Sequence, residues 1–190
     1  MGQKGFTLVE LVIVFSIVAL LSIAGIASFV AFSDRQVLAN TIAELQTMLN
    51  VARTDTLSQV NSSCSSSEEF GGYVVVVCCR TSNDPTSPIN QIPMSFCPTI
   101  GCSGTNDYEL YQSCINTNGA TRYALIQGKV LPKRVIISSQ TSARTFQFSP
   151  ITGSVSFGGA VGSSGQVQMY LYGNTSINVS TTVSSIGTIQ

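Results

Sequence analysis

One carboxylate stands where a carboxylate is expensive. Glu10 lies at the N-terminal end of the stretch GFTLVELVIVFSIVALLSIAGIASFVAFS, residues 5–33, and nothing from Leu11 to Ser33 is charged. A lone charge in lipid costs about 2.5–3.5 kcal/mol even on the more lenient scales, so its presence marks function. The chemistry open to Glu10 is electrostatic: in apolar surroundings it needs a cation. The run after it predicts a helix long enough to span a bilayer. Lys4 precedes the span, and after Glu10 the next charge is Asp34. The positive-inside tendency therefore puts the first residues in the cytoplasm and the C-terminal part outside, as a single pass.

Cysteine supplies the second set of reactive side chains. The six are Cys64, Cys78, Cys79, Cys97, Cys102 and Cys114. An even count in an exported domain points to disulfides, and six thiols leave about fifteen pairings open. Cys97 and Cys102 flank a short loop containing Pro98, Gly101 and Ser103 and make the natural local pair. Cys78 and Cys79 would point to opposite faces of a strand and so take different partners, with Cys64 and Cys114 as the candidates. A zinc cluster is the rival use, but no C-x-x-C pair is present.

Histidine is absent. That removes a histidine general base, the usual triad and a mixed Cys/His zinc site. No phosphate-binding loop is found either, so neither an enzyme nor a cofactor is expected. Charged residues are only 9 % of the chain and balance to zero, which argues against general nucleic-acid affinity. The balance hides an asymmetry. From Asp55 to Glu109 the acids outnumber the single cation Arg80. After residue 110 the charges are Arg122, Lys129, Lys133, Arg134 and Arg144, with no acid. The plain reading is that the two halves meet, within the fold or between subunits. The sharper one is a basic patch for an anion or DNA.

These groups need elements to position them. From residue 34 to 59 the apolar residues Leu38, Ile42, Leu45, Leu49 and Ala52 step by four and three, a single helical stripe. No proline interrupts residues 6–84. One helix from about Thr7 to Ser58 is expected, apolar all round in its first half and amphipathic in its second. Residues 61–67 form a serine-rich break. Tyr73 to Arg80 is the best strand, rich in β-branched residues. Residues 81–119, with four prolines, read as a Cys-rich excursion with a short strand near Tyr108 to Tyr111. Further strands are expected over 122–127, 134–139, 144–149, 154–157, 166–172 and 176–182, with a turn at Pro150 to Gly153. The fold class is α+β: a long N-terminal helix on an antiparallel sheet or sandwich.

The N-terminal segment resembles the class III signal and helix of type IV pilins and type II secretion pseudopilins, through Gly5, Phe6, Thr7, Leu8, Glu10 and Leu11. The resemblance implies a leader of residues 1–5, cut after Gly5 by prepilin peptidase, and N-methylation of Phe6. It implies that the Glu10 carboxylate pairs with the Phe6 amine of a neighbouring subunit and sets axial register. Residues 6–33 would be the membrane and filament-core half of the helix, 34–60 its amphipathic half, and 61–190 a β-rich domain outside the cytoplasm. An ordinary secretory signal, with Ala24 to Ala27 as its small-residue site, or a plain signal anchor would not account for Glu10.

Residues from about 40 onward resemble the GspH/FimT family of minor pilins and pseudopilins, in LQTMLNVARTDTLSQ and RTFQFSPITGSVSFGG. The Cys-rich excursion is outside that resemblance. Ala27 stands where many major pilins carry proline, which suits a minor subunit. The final residues 185–190 have none of the arginines that DNA-binding FimT members place there. The expected protein is thus a structural filament subunit. Its partners would be other pilins or pseudopilins, the peptidase, an inner-membrane assembly platform, and lipid before assembly. Before assembly it would lie in the bacterial inner membrane, and afterwards in a periplasmic or extracellular filament. The alternative is an adhesion or DNA-binding module using the cations of residues 122–144.

Overall fold

The computed structural model describes residues 7–77, 106–138, 141–158 and 163–190, excepting the side chains of 23–28, 31, 174 and 175. Helix α1 covers Leu8–Leu57, within one residue of each expected end. The chain divides into two compact units, Met1–Val37 and Leu38–Gln190.

In the first unit the described side chains of α1 are overwhelmingly apolar and exposed, from Leu8 through Leu21 and again at Phe29, Val30 and Phe32. Ser16 and Ser22 turn their hydroxyls back to the carbonyls of Val12 and Val18, each at 2.8 Å. Their polar groups are thereby satisfied along the helix itself. Among the described residues no helix is long and apolar enough to cross a membrane.

The second unit is α+β. Eight strands follow the helix: β1 (Glu68–Val77), β2 (Tyr108–Asn116), β3 (Thr121–Lys129), β4 (Val135–Ile137), β5 (Thr145–Phe148), β6 (Val155–Gly158), β7 (Ser164–Leu171) and β8 (Asn174–Ser184). They form a five-stranded sheet, ordered β3-β2-β1-β5-β6, and a three-stranded sheet, ordered β4-β7-β8. Every pairing is antiparallel. The predicted stripe of α1, Leu38, Ile42, Leu45, Leu49 and Ala52, is buried together with Met48 in one core with Tyr73, Val75, Phe146, Phe148, Val167 and Met169. Burying side chains of this size contributes about 1.5–3 kcal/mol each, which outweighs any helix propensity in this segment.

β1 and β2 differ most from expectation. β1 begins at Glu68, ahead of the expected Tyr73, with Gly71 and Gly72 inside it. The register shifts between Phe70 and Gly72, and Gly72 takes φ +98° with a would-be Cβ only 2.0 Å from the Phe148 carbonyl oxygen. Only glycine fits that bulge. β2 extends to Asn116, well past the expected Tyr111. Both faces of this part of the sheet are buried, with Val74, Val76 and Tyr111 forming a second cluster opposite the helix. A strand covered on both sides loses its apolar–polar alternation. Two buried polar residues of β2, Glu109 and Gln112, are held by side-chain hydrogen bonds instead. Glu109 accepts from Asn106 Nδ2 at 2.8 Å and from the Tyr111 hydroxyl.

Candidate functional site

At the start of α1, Thr7 is the N-cap. Its Oγ1 accepts from the Glu10 backbone amide at 3.3 Å, and its carbonyl accepts from the Leu11 amide at 3.2 Å. This satisfies one of the unpaired amides at a helix start. The Thr7-x-x-Glu10 spacing is that of a capping box, a helix-start signal carried by the sequence itself. Glu10 itself is exposed, among exposed Leu8, Val9, Leu11 and Ile13. A carboxylate in the first turn also sits well with the helix dipole, a contribution of about 0.3–1 kcal/mol. That is too small to make an apolar environment tolerable without a counter-cation. Gly5 and Phe6 lie outside the described residues.

The cysteine expectation needs correction. Cys64 and Cys114 bond to each other, with Cα atoms 5.5 Å apart and 50 residues between them in sequence; neither serves Cys78 or Cys79. The reason is the path of the α1–β1 connector. Buried Gln112 on β2 accepts from the Ser63 amide at 3.0 Å and donates to Asn61 Oδ1 at 2.7 Å. The connector is thereby folded back onto β2, and this puts Cys64 against Cys114. Cys78, Cys79, Cys97 and Cys102 lie outside the described residues. The donor atoms of Cys64, Cys114 and Glu68 are within 4.8 Å of one another. Both sulfurs are consumed by the disulfide, however, and Glu68 is engaged by Arg122.

The later cations are not brought together. Arg122 makes a two-pronged pair with Glu68, Nε at 2.9 Å and an Nη at 2.6 Å. Hydrogen bonds from Arg122 hold the Glu68 carboxyl down at about 2, from an ordinary 4.5. Lys129, at the far end of β3, pairs with Glu44 of α1. Arg144 is buried, and burial lowers its pKa. Its Nε and one Nη find no acceptor among the described residues. Lys133 and Arg134 lie in the turn before β4. The acid-rich and basic halves of the sequence thus meet within one fold at Arg122 and Glu68.

Residues 1–26 fit the family model described as the prokaryotic N-terminal methylation motif. No curated protein and no solved structure matches this chain. The motif supports a type IV pilin-like precursor, a substrate for peptidase processing and methylation that assembles with other pilin subunits. The fold carried behind it, a long helix followed by antiparallel sheets, is compatible with that class.

Proposed function

We propose that the chain is a structural subunit of a type IV pilin-like filament, either a pilus or a secretion pseudopilus, acting by assembly and not by catalysis. The observation that carries this is the methylation motif over residues 1–26, with Glu10 exposed in the first turn of an apolar helix. Prepilin peptidase cuts between Gly5 and Phe6, and Phe6 is methylated. The apolar half of the helix holds the subunit in the inner membrane and later packs in the filament core. Glu10 of each subunit accepts the charge of a neighbour's Phe6 amine, since each alone is costly in that environment. The likeness of the β5–turn–β6 segment to GspH/FimT proteins belongs to this reading. The DNA-binding alternative loses ground, because Arg122 and Lys129 are paired within the chain and Arg144 is buried.

The test is co-sedimentation of the chain with filaments sheared from cells, with and without the peptidase. The reading expects the chain in the filament fraction only when the peptidase is present. Equal recovery from peptidase-deficient cells would contradict it.

A further inference from the structure

Strand β8 runs the same way as α1. Gln46 Nε2 donates to Thr181 Oγ1 at 3.2 Å, and a Cβ on Gly187 would lie 2.9 Å from Arg53 Nε. From Thr181 back to the β7–β8 turn at Gly173 is about 26 Å of strand, while from Gln46 back to Leu38 is about 12 Å of helix. The β7–β8 turn therefore stands at the end of the second unit where that unit begins, at Leu38. A second loop reaches the same end. Lys129 pairs with Glu44, the chain runs on through Val130 to Arg134, and the Tyr172 amide donates to the Arg134 carbonyl at 2.8 Å. The opposite end holds Leu57, packed against Gly153.

These two tied loops present an aromatic ring and a cation to the outside. Tyr172 is 59 % exposed, and Lys133 is exposed in the loop joined to it. Tyrosine has an apolar ring with a polar tip, and lysine an aliphatic stem with a charged head. Both suit the boundary between lipid and water. The acids carried by the same elements are engaged. Glu44 is held by Lys129, and buried Asp107 accepts from the Leu131 amide at 2.7 Å.

The length of chain says what covers this end. The uncharged run stops at Ser33 and the second unit starts at Leu38. The polar layer of a bilayer is about 5 Å deep or more, so even a fully extended link brings headgroups within about 12 Å of Leu38. Asp34 and Arg35, in that link, cancel in charge. We propose that, while the chain is held in the membrane, Tyr172 and Lys133 rest in the headgroup layer of a bilayer containing anionic phospholipid. The Tyr172 ring lies at the lipid boundary and the Lys133 ammonium on lipid phosphate. The contact rests on the filament reading, which puts the apolar half of the helix in the membrane before assembly. It goes further by giving the β domain a lipid contact of its own, broken when the subunit leaves the bilayer.

The chain has no tryptophan, so a single introduced one is a clean probe. Full-length Tyr172→Trp, Phe15→Trp and Ile151→Trp are reconstituted in vesicles of phosphatidylglycerol and phosphatidylcholine, the latter brominated high on its acyl chain as quencher. Phe15 reports the apolar run, and Ile151, 78 % exposed in the turn before Gly153, reports the far end. The proposal expects quenching of Phe15→Trp and Tyr172→Trp but not of Ile151→Trp. Adding Lys133→Gln to Tyr172→Trp, or omitting phosphatidylglycerol, should weaken docking of this end about fivefold, as for one lysine at an anionic surface. If Phe15→Trp is quenched while Tyr172→Trp matches Ile151→Trp, the contact is overturned and the filament reading stands. Quenching of Tyr172→Trp that ignores both changes overturns the anionic partner. An unquenched Phe15→Trp overturns the contact together with the membrane step of the filament reading.

Discussion

The Glu10 amide is bound to the Thr7 hydroxyl at 3.3 Å, so the first turn of α1 is fixed by its own cap while the Glu10 side chain stays exposed. The backbone task and the charge task are divided between two residues. Changing the Glu10 side chain should then leave the helix start largely intact. Glu10→Gln and Glu10→Leu are expected to be produced and cut after Gly5 normally, yet to reach filaments at well under a tenth of the wild-type level. Quantitative blots of membrane and sheared fractions measure this. Wild-type incorporation by Glu10→Leu would remove the electrostatic pairing from the account.

The Cys64–Cys114 bond closes a loop of 50 residues, for which the chain-entropy model gives about 4 kcal/mol. A surface ion pair contributes at most about 1 kcal/mol, so the disulfide dominates the connector. Cys64→Ser and Cys114→Ser should each lower the thermal midpoint strongly, and the double variant little further. Thermal melts of the detergent-extracted chain read this directly. Additive losses in the double variant would contradict the pairing.

Glu68 gives a pH dependence of known sign. Its folded pKa, about 2, lies below the ordinary 4.5, so the stability it contributes is complete above about 4.5 and is lost as pH falls toward 2. The expected result is that wild type and Glu68→Gln differ in thermal midpoint at neutral pH and converge between pH 4.5 and 2. Parallel curves through that window would show that the Arg122 contact contributes nothing.

How much of this could be read beforehand differed by element. The stripe Leu38, Ile42, Leu45, Leu49 and Ala52 declared itself because one helical face meets the core and the other meets water. Phe146/Phe148 and Val167/Met169/Leu171 alternate for the corresponding reason in strands. β2 did not, since burial on both faces erased the alternation around Glu109 and Gln112. The disulfide was illegible for another reason: its pairing depends on Gln112 folding the connector back, and side-chain contacts across about fifty residues leave no local pattern. Arg144 looked like a surface cation by type alone, and only the packing of β5 shows it buried.

Arg144 itself yields a stability prediction. A buried guanidinium without full hydrogen bonding costs more than an apolar side chain of similar volume. Arg144→Met should raise stability by about 1–4 kcal/mol, measured by denaturant unfolding of the extracted chain. A loss of stability would mean that the guanidinium is satisfied in the folded protein.

The central claim is that this chain is cut after Gly5 so that a charged amine at Phe6 becomes available to Glu10 of a neighbour. Intact-mass measurement of the membrane-extracted protein tests it most directly. The account predicts loss of Met1 to Gly5 together with the gain of one methyl group. A full-length mass, or a cut beyond residue 20, would contradict it.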